Sequence, residues 1–229
     1  MLHHVIALSA SLLAIASAAR GCGLALVLAV DVSGSVDPRE FRIQMDGLAA
    51  AMRDGIVVEA LVDQRASVTL IQWTGTSRQR QTIPWTAIET PADVLALADR
   101  IGGDPRIWQN YSTAIGEALS LAIERLEQGP DCRRRVIDVS GDGPSNEGTG
   151  PKALHPRLRE MKVTVNALAI ETDIEEDLTG WFYENLITGD GAFVITANGF
   201  ADYPEQIRRK LQREVTRQIS VGRPYSDHR

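Results

Sequence analysis

Residues Leu24 to Ser35 read LALVLAVDVSGS, and no other stretch limits the fold so strongly. Leu24 to Val30 are apolar without interruption, and Asp31, Ser33 and Ser35 follow at once. An unbroken apolar run bounded by turn residues suits a strand buried on both faces, as in the centre of a parallel sheet. Open α/β sheets place their ligand sites just beyond the carboxyl ends of their strands. The run therefore delivers one carboxylate and two hydroxyls where such a fold keeps its chemistry. With Gly34 permitting a tight turn, these hard oxygen donors suit Mg²⁺ or Mn²⁺. Taken alone, the same residues also read as a Ser/Gly turn leading to an ordinary helix cap at Asp37, ahead of Pro38.

The rest of the chain alternates between two periodicities. Phe41, Met45, Leu48 and Met52 mark one face of a helix starting at Pro38, with Gly55 as its stop and a further helical turn over Ile56 to Val62. Ala66 to Trp73 reads as a second strand. Arg78 to Trp85 reads as a third, placed at an edge by Pro84. Helices are predicted from Pro91 to Ile101 and from near Thr113 to Gly129. A fourth strand covers Arg134 to Val139. A helix over Pro151 to Met161 is kinked or delayed by Pro156. Strands at Val163 to Ile170 and Ala192 to Ala197 bracket a helix at Asp177 to Ile187. Ile207, Leu211, Val215 and Ile219 mark a last helix. This alternation predicts one α/β domain over residues 24–217: a doubly wound, mostly parallel six-stranded sheet with helices on both faces. Residues 218–229 form a C-terminal tail.

Charge and cysteines narrow the setting. The 229 residues carry a formal net charge of −6, which disfavours nucleic acid and anionic membrane surfaces as partners. Residues 1–18 have the apolar core and the Ala16-Ser17-Ala18 pattern of a signal peptide, although His3 and His4 stand where Lys or Arg is usual. The expected location is periplasmic or secreted, with no transmembrane segment. Cys22 and Cys132 each precede a predicted strand. If those strands are parallel neighbours, the two thiols lie at the same end of the sheet, where an oxidising compartment permits a disulfide. A lipidated Cys22 and two buried free thiols are the alternatives.

Two later loops add donors at the same edge: Thr113 in T-A-I-G-E-A-L and Asp142 in S-G-D-G. The set D-x-S-x-S at Asp31 to Ser35, T-x-x-G-x-A-L at Thr113 to Leu119 and S-G-D-G at Asp142 resembles the von Willebrand factor A domain with its metal-ion-dependent adhesion site. VLAVDVSGSVD and VIDVSGDGPSN further resemble a bacterial group of secreted single-domain proteins of this type. The resemblance implies that Ser33, Ser35 and Thr113 offer hydroxyl oxygens to Mg²⁺ or Mn²⁺. Asp31 and Asp142 would act directly or through water, and a partner protein would supply a carboxylate. It also implies a binding module rather than an enzyme. The family often has Gly-Gly before the second-loop Thr. Here Tyr111-Ser112 stand there, and Ser112 competes with Thr113 as the hydroxyl donor.

Two alternatives remain: a fold with a structural metal or none, and a haloacid-dehalogenase-like phosphatase with Asp31 as nucleophile. The phosphatase needs a second Asp where Ser33 stands. It also needs a Lys ahead of the G-D-G loop, and none occurs between Asp31 and Asp142. His155 and His228 are isolated and form no catalytic pair. Glu171 to Asp177 reads as a solvated loop and helix start, with a second cation site as its functional alternative. Arg208, Arg209, Lys210, Arg213 and Arg217 read as a solvated helix face. Trp108 lies in the second-loop region, where it could line a partner surface.

Overall fold

The computed structural model describes residues 21–172 and 177–216. The predicted signal segment, the tail, Arg217, Ile219, His228 and residues 173–176 of the acidic run lie outside them. The strands are β1 (Leu24–Asp31), β2 (Ser67–Trp73), β3 (Gln79–Ala87), β4 (Arg134–Gly141), β5 (Val163–Glu171) and β6 (Val194–Asn198). The helices are α1 (Pro38–Met52), α2 (Gly55–Asp63), α3 (Pro91–Gly103), α4 (Ile115–Glu127), α5 (His155–Glu160), α6 (Leu178–Asn185) and α7 (Tyr203–Thr216). The strand order is β3-β2-β1-β4-β5-β6. Only β3 runs antiparallel to its neighbour, and it is the edge strand that Pro84 indicated.

β1 lies between β2 and β4 and is buried along its whole length. Its alternation separates the two layers. Leu24, Leu26, Leu28 and Val30 pack with residues of α1, α2, α3 and α7. Ala25, Val27 and Ala29 pack with residues of α4, α5 and α6. Large side chains thus face one layer and small ones the other, which lets α4 come close to the strand. Fully burying a leucine of this kind contributes about 1.5–3 kcal/mol.

Local signals explain most boundaries. Asp37 and Glu40 form a reciprocal capping box, each carboxylate accepting the other's backbone N–H at 2.7 Å. Gly55 does not stop α1, which ends at Met52. Asp54 caps a new helix that opens on Gly55, its carboxylate accepting from Ile56 and Val57. The proline-interrupted segment resolves as a 3₁₀ turn, Pro151–Leu154, followed by α5. Pro156 falls in the first turn of α5, where its missing N–H costs nothing. Cys22 and Cys132 form a disulfide with Cα atoms 4.6 Å apart, joining the chain just before β1 to the chain just before β4. The neighbouring parallel strands that this pairing needed are β1 and β4.

Lys210 corrects the reading of α7. It is not on a solvated face but is fully buried, 0% exposed, among Asp138 of β4 and Glu214 of α7. Its ammonium pairs closely with Asp138 and lies 3.6 Å from Glu214. Ile207, Leu211 and Val215 mark the inward stripe, and Lys210 and Glu214 sit beside it on the same inward arc. The other described cations of this run behave as expected. Arg208 and Arg209 pair with Glu205, and Arg213 lies 3.9 Å over the Phe193 ring.

Candidate functional site at the carboxyl edge of the sheet

Three loops meet beyond the carboxyl ends of β1 and β4. In the first, the Ser33 N–H donates to Asp31 Oδ1 at 2.7 Å, and the Ser33 and Ser35 hydroxyls lie 3.1 Å apart. Ser35 donates its hydroxyl to Asp142 Oδ1 at 2.7 Å, joining the first loop to the third. The Gly34 N–H donates to the Tyr111 carbonyl at 2.7 Å, joining the first to the second. The Thr113 N–H donates to Asn146 Oδ1 at 2.9 Å, and the Thr113 carbonyl accepts from Asn146 N–H at 2.9 Å, joining the second to the third. Thr113 is buried, and among the described residues its hydroxyl has no hydrogen-bond partner. Ser112 is committed elsewhere: its hydroxyl donates to Glu147, which also accepts from the Thr76 N–H and hydroxyl.

Two glycines allow this convergence. A Cβ on Gly141 would lie 3.0 Å from Asp31 Oδ2, so any side chain there would press on the carboxylate. A Cβ on Gly116, the glycine of T-x-x-G, would collide with the Thr149 carbonyl, so only glycine lets the third loop lie against the first turn of α4.

The electrostatics of the edge are unbalanced. Asp31 is fully buried, and its Oδ2 has no hydrogen-bond partner. Burial, and then the charge of Asp142, push its pKa up to about 8, against the pull of the Ser33 hydrogen bonds and Arg106. Burial also raises Asp142, against the pull of Ser35. Arg106 is the nearby cation, but its guanidinium donates to the Val32 and Ser33 carbonyls at 3.0 and 2.9 Å. It braces the first loop without touching either carboxylate. Buried carboxylates beside hydroxyls, with one orphaned oxygen, are what a hard dication stabilises. The donor set fits such an ion.

Arg106, Asn146 and Glu147 escaped sequence reasoning. Each acts on backbone or hydroxyl groups contributed by a distant segment, so neither periodicity nor motif spacing points to it. Trp108 packs against the core on the α1 side, with Arg80 5.5 Å from its ring centroid. Tyr111 is the exposed aromatic here, with Arg78 stacked over it at 3.8 Å. Of the acidic run, Glu171 accepts from the Thr179 N–H and hydroxyl, and Asp177 accepts from the Gly180 N–H, capping α6. His155 lies 3.2 Å from the Leu186 carbonyl, and burial lowers its pKa.

The family model described as "Protein of unknown function (DUF1194)" matches residues 21–219. The chain belongs to the DUF1194 family. No curated protein sequence matches this DUF1194 protein. Among solved structures it is similar to proximal thread matrix protein 1 from the mussel byssus, at 18% identity and a TM-score of 0.61, covering 86% of this chain and 47% of that one. A second form of that byssus protein, with a zinc-occupied metal-ion-dependent adhesion site, matches at 15% identity and a TM-score of 0.58, covering 86% and 46%. A von Willebrand factor type A protein from Catenulispora acidiphila matches at 18% identity and a TM-score of 0.54, covering 86% and 44%. The pilus adhesin SpaC of Lactobacillus rhamnosus GG matches at 13% identity and a TM-score of 0.61, covering 85% and 30%. The DUF1194 protein thus spans less than half the length of each of these relatives. At these identities the likeness establishes the fold, which is that of the von Willebrand factor A domain. Among the described residues no helix is long and apolar enough to cross a membrane.

Proposed function

We propose that this protein is an exported, divalent-metal-dependent protein-binding module. Ser33, Ser35 and Thr113 would hold Mg²⁺ or Mn²⁺ through their hydroxyls, with Asp31 and Asp142 supplying the negative charge. When bound, the ion supplies an electrophilic centre for a carboxylate of a partner protein. The chain's own residues hold the donors in place: Arg106 braces the first loop, Asn146 clamps Thr113, and Glu147 keeps Ser112 out of the donor set. The observation that carries the reading is the buried, unpartnered Asp31 Oδ2 beside Asp142, with no cation among the described residues in contact with either carboxylate. The adhesin and the zinc-occupied byssus protein among structures of the same fold support it. A disulfide between the starts of two central strands supports an oxidising location, periplasmic or extracellular.

The test is calorimetric titration of Mn²⁺, Mg²⁺ and Zn²⁺ into chelator-stripped wild type and Asp142→Ala. One site in wild type, at least tenfold weaker in the variant, is expected. Equal binding by both proteins, or no binding by wild type, would favour the same fold with a structural metal or none. A phosphatase reading would return only with phosphomonoesterase activity that Asp31→Asn abolishes.

A further inference from the structure

The opposite edge of the sheet holds a second cleft. β6 begins at Val194, which pairs with Ala167, so on the side away from β4 the first residues of β5 have only a single bridge, from Val165 to Thr188. The resulting cleft has a volume of about 920 Å³. Arg133, Arg134 and Arg135 line it from the start of β4, Arg159 from α5 and Lys162 from the turn before β5. Arg135 is paired with Asp131 at 3.1 Å, and Arg134 donates to Gln64 Oε1 and to the Glu214 carbonyl. Arg133, Arg159 and Lys162 are exposed, and none has a carboxylate partner among the described residues. Asp190 is the acid of the rim, and Glu214 is the acid of the wall.

We infer that this cleft is a second ligand site, independent of the metal edge, for a small and multiply charged phosphoanion. Three cations from three separate segments, with no carboxylate partner among the described residues, converge on one cavity of ligand size. Arginine forks match tetrahedral oxyanions, and phosphoryl groups concentrate the charge that several cations need. Glu214 does not oppose such a ligand. It is fully buried, Asn166 donates to its Oε1 at 2.6 Å, and its Oε2 is unpartnered. Burial and the charge of Asp138 push its pKa up to about 8, which weakens its repulsion of an anion. The net charge of −6 repels extended polyanions, which makes the local basic cleft selective for a small one.

The test is calorimetric titration of tripolyphosphate into the full, chelator-stripped chain without divalent ions. Wild type and Asp142→Ala are expected to bind alike. The double variant Arg133→Glu/Lys162→Glu, altered at two exposed positions and checked for an unchanged melting temperature, is expected to bind at least tenfold more weakly. Citrate is expected to bind at least tenfold more weakly than tripolyphosphate. Phosphatidylglycerol vesicles are expected to retain no more protein than phosphatidylcholine vesicles. The inference is overturned by no binding in wild type, equal binding by the double variant, loss in Asp142→Ala, equal affinity for citrate, or binding to phosphatidylglycerol vesicles alone.

Discussion

β4 carries two aspartates with opposite situations. Asp138, in the middle of the strand, shares a buried space with Glu214, and the two carboxylates have Lys210 between them. Asp142, just past the strand's end, shares a partly buried space with Asp31, and around these two carboxylates the chain places hydroxyls instead of a cation. Arg106 lies close enough to be felt, yet its fork is occupied by two carbonyls of the first loop. The interior of this protein can therefore accommodate an acidic pair by burying a lysine beside it. Leaving the second pair without one in contact, and lining it with oxygen donors, produces a site that an external cation would suit.

The largest effect should come from removing the internal cation. Lys210→Met leaves Asp138 and Glu214 buried together, and breaking such a cluster costs about 3–5 kcal/mol. Urea denaturation at pH 7 would measure it. Burial and the charge of Asp138 already hold the folded pKa of Glu214 above its unfolded value. The loss should be small at low pH, where a neutral carboxyl needs no counter-charge, and should grow as pH rises. A loss under about 1 kcal/mol at pH 7 would break the comparison, because the lysine would then not be balancing the pair.

The next effect is the external counterpart. Mn²⁺ at 100 times its dissociation constant should stabilise the wild-type protein by about 2.7 kcal/mol. The same metal should stabilise Lys210→Met by a similar amount, since the two pairs lie in separate places. Asp142→Ala should gain almost nothing. Thermal melts with and without metal would show whether the two acidic pairs respond independently.

Much of the candidate site was legible in the sequence because it is local. Asp31, Ser33 and Ser35 follow one strand at fixed spacing, and the unbroken apolar run before them suits a central strand, which β1 is. Pro84 marked the edge strand, and Asp37 marked the start of α1. What escaped was non-local. Lys210 read as a surface residue because its partner Asp138 belongs to a different apolar run. A charge inside a strand such as Arg134 to Val139 was the one signal that a buried cation must lie opposite. Arg106, Asn146 and Glu147 were hidden for the same reason. So was the basic cleft, whose Arg133, Arg159 and Lys162 come from separate segments of the chain.

Proton competition at the metal edge gives a smaller and sharper test. Asp31 has its folded pKa raised to about 8, so below that pH a metal must displace its proton. Metal affinity should rise with pH by up to about tenfold per unit below pH 8 and level off above it. Calorimetry in two buffers of different ionisation enthalpy would register the released proton directly. A pH-independent affinity between 6 and 8 would mean that Asp31 is already ionised without metal, and that the edge is less starved of positive charge than its burial indicates.

The smallest effect has the opposite sign to that of Lys210→Met, and so separates the two regions most cleanly. Without metal, the stability that protonated Asp31 retains at low pH is lost as pH rises from about 4 to 8, where the unfolded state ionises and the folded state still holds the proton. Asp31→Asn removes that charge and keeps the shape. It should raise metal-free stability over wild type by at least about 1 kcal/mol more at pH 9 than at pH 5, while abolishing the stabilisation by Mn²⁺. Paired urea titrations at the two pH values would measure both. A variant less stable than wild type at pH 9 without metal would mean that the Asp31 carboxylate is held by the protein itself, through Ser33 and Arg106, and needs no outside ion.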